Sequence, residues 1–277
     1  MQLTEKLRSK IIAWYCIIFY LLMAYNWANG MFLYQLQPSF FYTRADLFTW
    51  VFMQTGLHQW LLNNHTGTIL FDALFYTAPL IFLAVYKKAK QFMPIAAIAM
   101  LVINIVYIQC YSLYPSSSIE GKIAWLFFPV IFIPQNQKLF VLLFQGLRYF
   151  FLFFFASSGI WKIRQGGLFH IDQMSGILAM QHKYYLALSP NYWYTNLIYW
   201  FIQHPAISWL LYLSACLMQL SFLIGFFTIK LDKLFIIFFI AFLLMDNFIM
   251  GITYYTVASL MLTLWFSAEA RRTQSLT

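Results

Sequence analysis

Two basic side chains within one apolar stretch, Arg148 and Lys162, are the first candidates for chemistry in this sequence. On an α-helix they would lie within about 40° of each other and roughly 20 Å apart along the axis. Gly159 would share their face, and a glycine lets another helix or a ligand approach closely. A charge inside a membrane helix is costly and generally faces the bundle interior. Either these residues line a functional site, or Arg148 pairs with a buried carboxylate while Lys162 extends to the membrane surface.

Asp72 and Asp246 are the acidic candidates, because each lies within an apolar stretch that is long enough to form a membrane helix. A carboxylate in that setting can handle protons, act as a counter-ion or anchor the end of a helix. The sequence leaves these roles open, and both residues are candidate catalytic residues beside Lys162.

The histidines do not form a metal-binding pattern. His170 and Asp172 are two residues apart, which suits neither one face of a helix nor a zinc-protease motif. His58 and His65 are seven apart and would share a face if one helix included both. We therefore expect no metal, and we treat His58 and His170 as candidate ligand-binding residues. The cysteines are widely spaced and lack a CxxC pair, which disfavours a thiol oxidoreductase.

The composition is that of an integral membrane protein. Hydrophobic residues make up 62% of the chain and charged residues only 9%, with a mean hydropathy of +0.71, whereas a soluble domain carries roughly a quarter charged residues. The net charge of +9 comes from short basic clusters between apolar runs. This pattern orients membrane helices, so we expect the lipid bilayer and no nucleic acid as a partner.

Eight apolar segments predict an all-α integral membrane fold of about eight transmembrane helices. Seven of them approach the roughly 20 residues that a spanning helix needs, and the first is read as an uncleaved span because no A-x-A cleavage site follows it. The remaining segment, 123–134, is short and contains Pro129. The seven longer segments are 11–27, 69–86, 92–111, 139–161, 207–229, 234–250 and 252–266.

The distribution of basic residues decides whether segment 123–134 spans. With eight spans and both termini in the cytoplasm, eleven of the 17 Lys and Arg residues lie inside and five outside, with Arg148 in the membrane. Without that span the numbers become nine and seven. The positive-inside rule therefore favours eight helices.

This topology places two long segments, 28–68 and 162–206, on the outer face, and all five histidines fall in them. The first contains a stretch, 46–62, that we interpret as a helix lying in the outer interface. The second is rich in Tyr, Trp and Gln and should cap the bundle. We treat residues 1–277 as a single membrane domain with a short cytoplasmic tail at 267–277, and we expect any chemistry at the outer face.

The stretch LRYFFLFFFASSGIWKI at 147–163 resembles a segment of the horizontally transferred transmembrane superfamily, which includes vitamin K-dependent gamma-carboxylase. Arg148, the Ser158–Gly159 pair and Lys162 occupy the corresponding positions with the same spacing. The later stretch MDNFIMGITYYTVASL is similar to the family's helix in which a polar residue precedes a glycine, with Asp246 and Asn247 where a histidine is often found. In size the chain is similar to the small bacterial branch that includes the B component of sporulation-delaying bacteriocin maturation.

The resemblance implies that Lys162 is the base that deprotonates a substrate or a quinone-like lipid cofactor at the outer face, with Arg148 as electrostatic support. Such a base needs a neutral amine, which burial or a nearby cation favours. The segment RQGGLFHID replaces the family's Trp-containing segment after the lysine, and the large outer domain is missing, so glutamate carboxylation is not expected.

The resulting hypothesis is a peptide-maturation enzyme of the bacterial inner membrane. It would act on an exported precursor peptide together with a small accessory protein. The alternative is a non-catalytic membrane partner for toxin export or immunity.

Overall fold

The computed structural model describes residues 2–36, 47–113, 128–252 and 255–275, and every regular element within them is helical. Six of its helices are long and apolar enough to cross a membrane. An all-α, multi-pass membrane architecture is therefore supported, in agreement with the composition. The six candidate spans are Glu5–Ala28, His65–Lys88, Lys90–Tyr111, Gln137–Arg164, Pro205–Phe226 and Asp232–Met250.

The other two predicted spans are not found as continuous helices in the described residues. Most of segment 123–134 lies outside the described residues, and its remainder forms a buried 3-10 helix, Phe128–Phe132. In segment 252–266 the described residues form a 3-10 helix, Tyr255–Leu260, followed by a five-residue α-helix. The number of eight spans stays a prediction.

The chain divides into two compact units, Met1–Leu147 with Tyr255–Thr277, and Arg148–Tyr254, here called unit 1 and unit 2. The boundary falls inside one long helix, α6. The single membrane domain predicted for residues 1–277 stays a prediction. The helices are α1 (Gln2–Ala28), α2 (Leu47–Gln54), α3 (Leu57–Leu62), α4 (His65–Lys88), α5 (Met93–Ser112), α6 (Gln137–Arg164), α7 (Gln173–Gln181), α8 (Lys183–Leu188), α9 (Trp193–Gln203), α10 (Pro205–Ser221), α11 (Asp232–Met245), α12 (Met261–Trp265) and α13 (Ser267–Ser275).

Unit 1 is built on α1, α4 and α5, which pack around buried aromatic rings. Phe75 stacks on Tyr107 with 3.7 Å between ring centroids, and Tyr15 stacks on Phe128 at 4.4 Å. Between membrane helices there is no water to expel, so association depends on such close packing. The high aromatic content of the sequence thus fills the core of this unit as well as any interfacial belt.

The predicted interfacial helix at 46–62 is two short helices, α2 and α3. Gly56 between them has a positive φ of 68°, which ends α2 and turns the chain. Trp50 and Trp60 are exposed on these helices, as an interfacial segment requires. The Asn64 side chain accepts a hydrogen bond from the Thr66 amide and begins α4, so His58 and His65 do not share one helix.

The first turns of α1 connect several parts of unit 1 through charged side chains. Lys10 forms an ion pair with Glu269 of α13 at 2.9 Å, and Glu5 forms one with Lys90 at 2.6 Å. Arg8 donates to the carbonyl oxygen of Pro134 at 3.2 Å. The predicted tail at 267–277 is therefore, over its described part, a helix that pairs with α1.

Unit 2 contains the second half of α6 and the helices α7 to α11. Phe155 and Phe222 approach to 4.5 Å and Phe151 and Phe239 to 4.9 Å between centroids, forming its aromatic core. α7 and α9 pack together, and α7 also packs on α10. Residues 167–203, a 3-10 turn followed by α7, α8 and α9, are called the cap segment below. They make up most of the predicted second outer segment, 162–206.

Candidate functional site

Lys162 lies near the end of α6, and its Nζ donates a hydrogen bond to Oε1 of Gln219 at 2.7 Å. Gln219 is on α10 and is only 2% exposed. The two helices approach closely at Gly159, where an added Cβ would lie 3.2 Å from the carbonyl oxygen of Cys216. Gly159, about one turn before Lys162, thus lets α10 come close enough for the side-chain amide of Gln219 to contact the amine.

Asp246 is the acidic residue nearest in effect to this group: its charge acts on Lys162, although the two side chains do not form an ion pair. Its Oδ2 atom is buried and makes no hydrogen bond to the described residues. The residue begins a π-helical turn, Asp246–Met250, at the end of α11. Single π-helical turns occur often at functional sites, because they displace a side chain from the regular helical direction.

The cap segment holds this π-helical turn through two side chains. Nε2 of His182 forms a hydrogen bond with the carbonyl oxygen of Ile249 at 2.7 Å, and the Tyr194 hydroxyl donates to that of Phe248 at 2.8 Å. Burial raises the pKa of the Tyr194 hydroxyl, which keeps it a donor. These bonds fix the backbone that carries Asp246.

Tyr212 completes the surroundings of the amine. Its ring centroid is 6.0 Å from Nζ of Lys162, and an added Cβ on Gly167 would meet its hydroxyl at 2.7 Å. Tyr212 and Gln219 were not predicted as site residues. With Cys216 they form an i, i+4, i+7 set, a polar stripe in an apolar helix that could have identified this face.

Arg148 makes a different set of contacts in the same unit. It is 4% exposed, and its Nε and NH2 donate to the two carboxylate oxygens of Asp232 at 2.8 and 2.5 Å. NH2 also donates to the carbonyl oxygens of Gly225 and Thr228 at 2.9 and 3.1 Å. Of the two alternatives that the sequence left for Arg148, the structure shows the pairing with a buried carboxylate. These bonds hold the turn between α10 and α11, roughly 20 Å along α6 from Lys162.

The carboxylate partner of Arg148 was not predicted. Asp72 and Asp246 were the acidic candidates, whereas Asp232 stands between Lys230 and Lys233 and resembled part of a polar connection. It begins α11 and is only 2% exposed. The sequence signal for this partner was a single acidic residue in a connection whose other charged residues are lysines.

Asp72 belongs to unit 1, where it anchors the chain that follows α1. It is 3% exposed and accepts hydrogen bonds from the amides of Leu33 and Tyr34, at 3.3 and 3.0 Å, and from the Tyr107 hydroxyl at 2.8 Å. These hydrogen bonds tie the backbone at Leu33 and Tyr34 to the carboxylate on α4. Asp72 therefore anchors the segment that follows α1 to α4.

The two histidine candidates lie in different units. His58 is buried on α3 of unit 1, with its ring 6.1 Å from that of Phe52. His170 is in unit 2, where it is exposed just after the 3-10 turn Gly167–Phe169. Within the described parts of the chain, no cluster of three or more His, Cys, Asp or Glu residues could hold a metal ion.

The candidate site combines the amine of Lys162, the neutral amide of Gln219 and the carboxylate of Asp246. Among the described residues, Oδ2 of Asp246 has no hydrogen-bond partner. Gln219 occupies one hydrogen-bonding position of the amine, which leaves the others for a ligand. Such a group can accept a proton from a bound molecule and stabilise the resulting ammonium. No family model, curated protein or solved structure matches the chain.

Proposed function

We propose that this protein is a membrane enzyme that removes a proton from a peptide or a small lipophilic molecule, with Lys162 as the base. The hydrogen bond from Lys162 to Gln219 carries the proposal, because an uncharged amide orients the amine without forming an ion pair that would hold it protonated. Asp246, whose buried Oδ2 lacks a hydrogen-bond partner among the described residues, is a charged group that acts on Lys162 without forming an ion pair with it.

In the proposed step, the bond between the acidic hydrogen and the substrate breaks, and its electron pair stays on the substrate. The proton joins the lone pair of Lys162 Nζ. The ammonium that forms is stabilised by the Asp246 carboxylate and the Gln219 carbonyl, since opposite charge and a hydrogen-bond acceptor both favour the charged amine. His182 and Tyr194 act through Asp246, by holding its turn.

The resemblance to the horizontally transferred transmembrane superfamily supports this assignment through Arg148, Gly159 and Lys162. It extends the proposal to an exported precursor peptide, to a quinone-like lipid as cofactor and to a small accessory protein as partner. Arg148 serves by securing the turn between α10 and α11.

The proposal includes eight spans, cytoplasmic termini, an outer-face cap segment and insertion in a bacterial inner membrane. A reporter fused after Gln137 tests this orientation. A cytoplasmic signal supports it, whereas an external signal would remove the outer-face site.

The function is tested by replacing Lys162 with Met and with Arg at matched membrane abundance. The measurement is maturation of a small secreted precursor peptide expressed together with this protein, or resistance of the cells to that peptide. Met keeps length and packing but has no base, and Arg keeps the charge but does not readily become neutral, so both should lose function.

Lys183→Met is the matched control, because Lys183 is an exposed lysine of the same unit. It should retain function. Function in both Lys162 variants would instead favour a non-catalytic partner in toxin export or immunity. Function in Lys162→Arg alone would indicate anion binding.

A further inference from the structure

The cap segment carries aromatic side chains that remain largely exposed in unit 2. Tyr184 and Trp193 are 69% and 59% exposed, and the other members of the group are 42–52% exposed. We call this group the aromatic surface; it consists of Tyr184, Tyr185, Tyr192, Trp193, Tyr199 and Trp200. So many exposed rings on one short stretch mark a surface that contacts something other than water.

One face of α9 is buried in unit 2. Thr195 and Ile198 are buried, and Ile198 packs with Met174, Leu178 and Tyr212 in the core of unit 2. The helix is therefore already attached to its unit through one face. The opposite face carries Trp193 and Trp200, and Tyr199 is exposed at the side of the helix. Trp193 also stacks on Phe248 at 6.4 Å between ring centroids, but it stays 59% exposed. These exposed rings are left for an external partner.

The cap segment also lacks the charges of a water-facing loop. From 167 to 203 its only Lys, Arg, Asp or Glu residues are Asp172 and Lys183, whereas a soluble domain has roughly a quarter of such residues. Leu188 and Met180 are 78% and 73% exposed. The positive charge of Lys183 lies at the aromatic surface, where its Nζ is 5.3 Å from the ring centroid of Tyr184.

The aromatic surface is continuous with a candidate span. α9 ends at Gln203 and α10 begins at Pro205, so only His204 separates them. The Trp200 ring stacks on the His204 ring at 4.6 Å, which carries the surface to the start of α10. There the exposed apolar residues Ile207 and Leu210 follow, as on a helix that faces lipid.

We propose that the aromatic surface lies in the headgroup region of the bilayer, so that α8 and α9 form an interfacial segment that does not span it. Trp and Tyr favour this region because their rings are apolar and their NH and OH groups reach water and headgroups. Lys183 is positioned to meet lipid phosphates, which matches its charge. A bilayer also accounts for exposed Leu188 and Met180, since no folded partner surface is needed to cover them.

Spin labels test this in the full chain reconstituted in phosphatidylcholine and phosphatidylglycerol vesicles. Tyr199→Cys and Trp193→Cys place a nitroxide on the aromatic surface. The native Cys16, Cys110 and Cys216 are buried, so an added surface cysteine is labelled selectively. Lys230→Cys, an exposed position in the connection before α11, is the water-facing control.

Collision with oxygen, which concentrates in lipid, is compared with collision with a water-soluble nickel chelate. We expect both cap labels to collide with oxygen more often than with nickel, with nickel collision several-fold lower than for Lys230→Cys. Nickel access equal to that of the control would overturn the proposal, because the surface would then be in water. Protection from both reagents would also overturn it, because a protein would then cover the surface. Two labelled positions keep the test decisive if one variant does not fold.

Discussion

Arg148 and Asp232 form a two-pronged ion pair in which the guanidinium donates to both carboxylate oxygens, and neither side chain is more than 4% exposed. Eighty-four positions of sequence separate them. The pair joins the middle of α6 to the first residue of α11. Its guanidinium also holds the carbonyl oxygens of the turn between α10 and α11. The pair is therefore a structural element of unit 2.

Asp232→Asn should destabilise the protein strongly, because it leaves a buried guanidinium without its charge partner. The expected loss is about 3–5 kcal/mol in the free energy of unfolding. Thermal or denaturant unfolding in detergent measures it. Arg148→Met combined with Asp232→Leu should recover much of the loss, since apolar replacements remove both desolvated charges. Glu269→Gln, which breaks the half-exposed pair with Lys10, should cost less than about 1 kcal/mol.

Gly225→Ala should destabilise unit 2 through overpacking. The new Cβ would lie 2.6 Å from Cδ2 of Leu152 and 3.1 Å from Cε2 of Phe235, both of them buried side chains. A cost of about 1–3 kcal/mol in unfolding free energy is expected. Gly146→Ala in α6 is the matched control, because nothing lies within 4 Å of its added Cβ. It should be neutral or stabilising, and an equal loss in both variants would contradict the packing argument.

Tyr194→Phe should loosen the π-helical turn that carries Asp246. The substitution removes the hydrogen bond to the Phe248 carbonyl, which contributes about 0.5–1.5 kcal/mol. Amide hydrogen exchange of 246–252 should rise by up to roughly tenfold, with little change elsewhere. Tyr199→Phe makes the same change on the exposed face of α9 and should leave this exchange unaltered. Unchanged exchange in Tyr194→Phe would show that the cap segment does not hold the turn.

Gln219 variants should separate orientation of Lys162 from simple packing. Gln219→Leu removes the acceptor that holds the amine, so Lys162-dependent function should fall. Gln219→Glu keeps the size but would pair with the amine and hold it charged, so function should be lost while the protein still folds. The assay is the one used for the Lys162 variants, with unfolding measured in parallel. Full function in Gln219→Glu would argue against a neutral lysine.

The sequence alone determined the helical membrane class, because a span satisfies its backbone hydrogen bonds within its own segment and shows this as a local apolar run. It also placed Gly159 on one helical face with Lys162, since that relation depends only on helical periodicity. The close approach of α10 at Gly159 agrees with this placement. Local hydropathy also predicted a span at 252–266, which stays a prediction; its described part is a 3-10 helix followed by a short α-helix.

Only the tertiary structure decided which polar groups meet. Sequence reasoning named Asp72 and Asp246 as the acidic candidates, but in the folded protein Arg148 pairs with Asp232. Helix packing also places Gln219 and the π-helical turn of Asp246 near Lys162. These partners lie 57 to 84 positions away along the chain, on other helices. The periodicity of an α-helix determines which side of its own helix a side chain lies on. The contact across helices depends on where neighbouring helices end, bend and approach, which the packed core of unit 2 sets.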